Sequence, residues 1–167
     1  FRCVLFRSDD GKVLRFDGTT VTEEFDFGPL APLIPQGSWR VYVHPFNQIG
    51  VFAIAEGGPA ADPTVTFARF LDGVGGTWSA VTVPEAPFIV SDFIEFNAGI
   101  YVATYPPSSN PNAWSGARIF RYGGGGSLGA NIHEETDPSP TLVEFNNFFV
   151  RNGYLFVIFV TSLTPNS

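Results

Sequence analysis

The chain has 167 residues, 44% of them hydrophobic, so it is long and apolar enough to bury a core, which argues against a disordered chain. Its 18 Gly, 14 Pro and 18 Phe favour short strands and turns over long helices. The net charge of −7 argues against nucleic-acid binding, and the single cysteine excludes an internal disulfide and a cysteine metal cluster.

The first eight residues read differently from the rest. Leu5–Ser8 have the sequence Leu-Phe-Arg-Ser, and the codons CTC-TTC-CGA-TCT at the end of a widely used sequencing adapter encode the same residues. We therefore expect residues 1–8 to be an artefact of metagenomic sequence assembly and residues 9–167 to be the natural fragment. The alternative is an ordinary edge strand.

Targeting signals are not visible in the sequence. There is no initiator Met and no charged region before an apolar core, so no signal peptide is predicted. The longest apolar run, Tyr154–Leu163, is far shorter than the roughly 20 residues of a membrane helix. It is typical of a strand buried on both faces, and we expect no membrane span.

Two short strands follow the first segment. Lys12–Phe16 and Thr19–Phe25 flank Asp17-Gly18, a pair that favours a hairpin because glycine accepts the positive φ of such turns. Residues 27–36 contain three prolines. They are predicted to be a connection, since proline removes a donor from a strand ladder.

A set of four strands is predicted within residues 38–83. The strands are Trp39–His44, Val51–Ala55, Val65–Leu71 and Thr77–Val83. A loop of small residues at 56–63 separates the second strand from the third, and a glycine turn at 72–76 separates the third from the fourth.

The same order of parts recurs within residues 88–133. The strands are Ile89–Phe96, Ile100–Tyr105, Ala117–Tyr122 and Ser127–His133, with a long loop at 106–116 and a glycine turn at 123–126. Leu142–Val150 and Tyr154–Thr161 then predict a last hairpin around Asn152-Gly153.

The turn glycines recur at a regular interval. The first-turn glycines are Gly50, Gly99 and Gly153, and the second-turn glycines are Gly18, Gly73 and Gly124. Both series have a spacing of about 50 residues, and four strands at a period of about 40 to 50 residues are typical of a propeller blade. The chain is thus interpreted as a half-blade (12–25), two blades (38–83 and 88–133) and a second half-blade (142–161).

The strand order and turn placement resemble β-propellers of the kelch and BNR-repeat type. Gly75, Thr77 and Trp78 fit the second half of the BNR Asp-box, S-x-D-x-G-x-T-W, while Leu71 and Gly73 occupy its Ser and Asp positions. The resemblance implies an all-β fold, with about three blade-equivalents of four-stranded antiparallel sheets from a propeller of 4 to 8 blades. It supplies no functional residue. A sandwich or open meander is the alternative architecture.

Acidic residues on the first strands of the predicted blades are candidates for a channel lining. Asp92 and Glu95 lie on one such strand, and Glu144 lies on the related strand of the last half-blade. Asp92 and Glu95 are three residues apart, which places them on opposite faces of a strand. They therefore do not form a carboxylate pair by themselves.

Two arginines and two histidines give weaker evidence for a functional site. Arg118 and Arg121 are also three apart and point to opposite faces. His44 and His133 have no partner at metal-ligand spacing, so we predict no metal site and no cofactor.

Aromatic residues near the long loop are the other binding candidates. Trp114 lies in the loop at 106–116, close to Tyr105. Exposed aromatic side chains bind sugars and proteins through their large apolar area, and the alternative is that Trp114 packs on its own blade. We take Trp114, Tyr105, Asp92 and Glu95 as the predicted binding residues.

The sequence favours a non-catalytic binding or scaffold module that recognises a protein or a carbohydrate. The alternative is a fragment of a propeller-fold carbohydrate-active hydrolase or lyase whose catalytic residues lie mostly on other blades, and a third possibility is a phage or cell-surface structural protein. An extracellular or cell-surface location suits these readings. Fold alone does not choose among them.

Overall fold

The protein is all-β. The computed structural model describes residues 4–7, 10–46, 50–59, 62–73, 76–84, 86–107, 117–129, 133–135 and 143–161, with backbone only at 4–7, 133–135, 143–146 and 159–161. These residues form antiparallel sheets of two to four strands and contain no α-helix. Within the same ranges, no helix has the length and apolar character that crossing a bilayer requires. The chain divides into two compact units, Phe1–Pro87 and Phe88–Ser167.

The first unit contains two sheets. The three-stranded sheet consists of β1 (Val4–Arg7), β2 (Lys12–Phe16) and β3 (Val21–Asp26), in that order. The four-stranded sheet consists of β4 (Trp39–Phe46), β5 (Gly50–Gly57), β6 (Val65–Asp72) and β7 (Trp78–Val81), also in chain order. A 3₁₀ turn at Gly28–Leu30 lies in the connection between them.

The first sheet has one strand more than the predicted half-blade. Val4–Arg7 pairs antiparallel with β2, although it lies in the segment that we expect to be non-native. The residues of β1 extend the β2–β3 hairpin by ordinary ladder pairing. The adapter origin of residues 1–8 stays a prediction.

The turn between β2 and β3 is fixed by Asp17. Its Oδ1 accepts hydrogen bonds from the backbone N–H groups of Thr19 and Thr20, both at 2.8 Å. These hydrogen bonds, of which the one from Thr20 has the larger effect and the one from Thr19 the next, stabilise the charged carboxylate. They hold the pKa of Asp17 below its ordinary value. Gly18 follows with φ of 105°, as expected for the Asp-Gly turn.

Aromatic side chains fill the space between the two sheets of the first unit. The buried residues of this core are Val13, Phe27, Trp39, Val41, Ala53 and Ala55. The ring of Phe25 packs edge-on against Phe27, with centroids 4.8 Å apart, and against Trp78 at 5.6 Å. One face of the β4–β7 sheet therefore covers the β1–β3 sheet that precedes it in the chain.

The second unit also contains a four-stranded sheet and a smaller one. The four-stranded sheet consists of β8 (Ile89–Phe96), β9 (Gly99–Tyr105), β10 (Ala117–Tyr122) and β11 (His133–Glu135), and the two-stranded sheet of β12 (Val143–Arg151) and β13 (Tyr154–Thr161). Ala103, Ala117, Ile119 and Phe148 form the buried core between them. Here the later hairpin covers one face of the sheet that precedes it.

The predicted fourth strand of the second set, Ser127–His133, overlaps β11 at His133. β11 is His133–Glu135, which pairs with Ala117–Ile119. Gly124, Gly125 and Gly126 all adopt positive φ in the preceding turn, and the Gly129 N–H bonds to the Arg121 carbonyl at 2.7 Å. Residues 130–132 lie outside the described residues.

Candidate functional site

Asp92 is a structural link between two strands. A β-bulge interrupts the β8–β9 ladder between Val90 and Asp92. The Asp92 Oδ1 accepts a hydrogen bond from the Phe93 N–H at 2.8 Å, and Oδ2 accepts one from the Phe148 N–H at 2.7 Å. Both carboxylate oxygens are thus engaged by backbone donors, and the side chain joins β8 to β12.

We expect Asp92→Ala to lower the free energy of unfolding by about 2 kcal/mol, because hydrogen bonds to a charged acceptor contribute about 1.5–3 kcal/mol and the Phe148 N–H would lose its acceptor. Asp92→Asn keeps one oxygen acceptor and should have a smaller effect. Urea denaturation measures both variants, with Asn147→Ala at an exposed neighbouring position of β12 as the control. Unchanged stability of Asp92→Ala would show that the carboxylate does not connect the strands.

The other predicted binding residues are dispersed. Glu95 is half-buried and pairs with Ile100, on the face of β8 opposite to Asp92, as the spacing predicts. Tyr105 ends β9 and packs against the core that contains Phe148. Trp114 lies outside the described residues, and only the backbone of Glu144 is described, within β12. Among the side chains that are described, Glu95 and Tyr105 lie on opposite faces of the β8–β11 sheet.

The arginine and histidine candidates are also separated. Arg121 pairs with Tyr101, and its guanidinium carbon lies 5.8 Å from the centre of the Tyr101 ring. Arg118 pairs with Thr104, on the other face of β10. His44 is half-buried in β4, and His133 is described by its backbone alone. Among residues whose side chains are described, no three His, Cys, Asp or Glu residues are grouped to hold a metal ion.

A buried charged cluster in the first unit was not predicted. Glu56 is fully buried, and its Oε2 accepts hydrogen bonds from the Arg40 Nε at 2.8 Å and from the Tyr42 hydroxyl at 3.4 Å. Arg40 and Glu56 are direct cross-strand partners in the β4–β5 ladder. We predicted that β5 ends at Ala55, which left Glu56 in a loop. Phe52, Ile54 and Glu56 are two residues apart and lie on one face of β5. This spacing was the sequence signal that the strand continues to Glu56.

The β12–β13 hairpin presents an exposed apolar surface. We call Phe149, Tyr154, Phe156 and Ile158 the outer hairpin face; their exposed fractions are 41, 70, 42 and 47%. The Phe149 and Phe156 rings are stacked, with centroids 5.0 Å apart and planes 8° apart. The opposite face carries Phe148, which is only 8% exposed. Residues 154–158, the described side chains of the apolar run that predicted a strand buried on both faces, are therefore covered on one face and open on the other.

Comparison with known proteins gives no match: no family model, no curated protein and no solved structure is similar to this chain.

Proposed function

We propose that this chain is part of a β-propeller that works as a non-catalytic binding or scaffold module. The observation that carries the proposal is the repetition of one four-stranded antiparallel meander, β4 to β7 and β8 to β11, with the strands in chain order in both sheets. Four-stranded meanders that follow one another along the chain are the unit of a propeller.

Side-chain packing supports the same interpretation. In the first unit, the β4–β7 sheet covers the preceding sheet with one face, whereas in the second unit the β8–β11 sheet is covered by the following hairpin. Each unit therefore shows one of the two contacts that a blade makes in a stack of blades. A propeller uses both contacts at every blade.

The chain offers aromatic side chains for a binding role, with Trp114 in the loop at 106–116 and Tyr105 directly before that loop. Aromatic side chains supply much of the contact area at interfaces. We keep Trp114 and Tyr105 as the predicted residues for a carbohydrate or peptide ligand, with Asp92 serving the fold.

The binding role can be tested with soluble polysaccharides. We expect the chain to be retarded in native gels that contain one of a panel of neutral and acidic polysaccharides, without release of reducing ends. Trp114→Ala should abolish the retardation, while Leu33→Ala, at a 93% exposed position outside the strands, should not. Release of reducing ends or unsaturated products would overturn the proposal in favour of a hydrolase or lyase.

A further inference from the structure

We propose that Asn152, in the turn of the β12–β13 hairpin, is a site of spontaneous deamidation. Water converts its side-chain amide into aspartate or isoaspartate, and the isoaspartate form disrupts the hairpin. This modification depends neither on the propeller repeat nor on a ligand, because it follows from the chemistry and the surroundings of one turn.

The reaction begins with the backbone nitrogen of Gly153. After losing its proton to a base, this nitrogen attacks the side-chain carbonyl carbon of Asn152 and forms a cyclic succinimide. The amide nitrogen takes up a proton and leaves as ammonia. Water then opens the ring at either carbonyl, which gives aspartate or isoaspartate. Water is consumed and ammonia is released, and no oxidant or reductant is required.

The attacking nitrogen is accessible because the residue after Asn152 is glycine. A side chain at that position hinders the attack, and glycine has none. Asn152-Gly153 is the one Asn-Gly pair in the sequence. Both residues are exposed, and a Cβ built at Gly153 would meet no atom within 4 Å. Base and water therefore reach both reacting groups.

The turn has to open before the ring can close. Asn152 and Gly153 adopt φ of 52° and 77°, as in a type I′ hairpin turn. The paired residues Arg151 and Tyr154 hold the turn in this conformation. Ring closure rotates the backbone at Asn152 out of it, so the reaction rate depends on how readily the hairpin opens.

The β12–β13 hairpin is well suited to such opening. Within the described residues it is a two-stranded sheet, and its outer hairpin face is exposed. Two-stranded hairpins are only marginally stable by themselves, and packing on one face is what supports this one. Local opening therefore costs less free energy here than in the middle of a larger sheet.

The β8–β9 hairpin contains a matched turn that should resist the reaction. Asn97 and Ala98 are exposed, adopt φ of 45° and 57°, and lie between the paired residues Phe96 and Gly99. The Ala98 methyl group hinders the attacking nitrogen, and β9 is also paired with β10. Asn97 thus has nearly the same turn conformation as Asn152 but lacks both features that favour deamidation.

The two products affect the hairpin differently. Aspartate keeps the length of the main chain and, like asparagine, tolerates the left-handed conformation. Isoaspartate adds a carbon to the main chain, so the two-residue turn no longer fits the Arg151–Tyr154 pair. Loss of this register separates Phe149 from Phe156, whose rings are stacked with centroids 5.0 Å apart.

Peptide mapping by mass spectrometry tests the site in the wild-type chain after ageing in mildly alkaline buffer. Chymotrypsin releases fragments 150–154 and 97–101, which contain Asn152 and Asn97. We expect the amide of Asn152 to be replaced by a carboxyl group about tenfold faster or more, because Gly153 lacks a hindering Cβ. The rate should rise with pH, since base activates the nitrogen. Equal rates at the two sites, or an unmodified Asn152, would overturn the inference.

Gly153→Ala gives this turn the residue found in the β8–β9 turn, and it should slow deamidation about tenfold or more. An unchanged rate in the folded variant would contradict the proposed attack. If circular dichroism shows the variant unfolded, the wild-type chain in urea replaces it. There both turns are lost, so the ratio of the two rates reflects the Ala98 methyl group alone. A ratio in the folded chain that is no larger would contradict easier opening of the β12–β13 hairpin.

Asn152→Asp separates the effect of the new charge from that of the longer main chain. An isoaspartyl methyltransferase measures how much of the aged chain carries isoaspartate. We expect Asn152→Asp to melt with the unaged wild type, and a fraction of the aged chain equal to its isoaspartate content to melt earlier. Identical melting of the aged chain and Asn152→Asp would contradict disruption of the hairpin by isoaspartate.

Discussion

Arg40→Ala is expected to destabilise the first unit by about 3–5 kcal/mol, because it removes the arginine that is ion-paired with the buried Glu56 carboxylate. Glu56 is fully buried, and the Arg40 side chain is 15% exposed. The Tyr42 hydroxyl, at 3.4 Å, is too long a hydrogen bond to compensate for the lost Arg40 Nε contact at 2.8 Å. Urea denaturation followed by tryptophan fluorescence measures the loss.

The double replacement Arg40→Leu with Glu56→Leu separates the contribution of the buried charge to stability from the contribution of side-chain packing. A buried ion pair replaced by apolar residues of similar size is often nearly neutral, so the double variant should recover most of the lost stability. Arg15→Ala is the matched control, since Arg15 pairs with Glu24 at 3.0 Å but is 40% exposed. Its effect should stay below about 1 kcal/mol. Equal losses for Arg40→Ala and Arg15→Ala would contradict the argument from burial.

Gly50→Ala is expected to destabilise the same sheet by about 3 kcal/mol. A Cβ at Gly50 would collide with the Leu71 carbonyl oxygen and would lie 2.5 Å from the Phe70 Cζ. The carbonyl belongs to the neighbouring strand β6 and cannot move without disturbing the Gly50–Asp72 and Val51–Leu71 pairs. Overpacking against such fixed atoms typically costs about 1–3 kcal/mol. Thermal and urea unfolding measure the change.

Gly99 provides a control at the first paired position of the β8–β9 hairpin. A Cβ at Gly99 would lie 2.5 Å from the Arg121 Nε and 3.0 Å from its Cζ, at the end of a side chain that can rotate away. The expected loss is about 1 kcal/mol, mainly from the displaced contact of Arg121 with the Tyr101 ring. A larger loss of stability for Gly99→Ala than for Gly50→Ala would show that contact of the new Cβ with the backbone does not determine the cost of the substitution.

The sequence by itself determined the all-β class and the position of most strands. Alternating apolar residues and turn pairs such as Asp17-Gly18 and Asn152-Gly153 are local signals, and strands formed on both sides of each turn. The repeat of about 50 residues predicted two sets of four strands, which the structure contains in chain order. The fourth strand of the second set was predicted over 127–133, and the structure describes it at His133–Glu135, after a turn in which three consecutive glycines adopt positive φ.

The tertiary structure decided what the polar and apolar side chains do. Asp92 was a candidate for a channel lining, and in the structure its carboxylate accepts a hydrogen bond from the Phe148 N–H, which is 56 residues away in sequence. Glu56 was assigned to a loop, and only the full length of β5 places it inside the sheet beside Arg40. Likewise, the apolar pattern of β13 does not identify the covered face. Period-two alternation defines two faces, and the neighbouring sheet decides which of them is buried. These roles depend on contacts between residues distant in the chain, and local sequence patterns do not contain them.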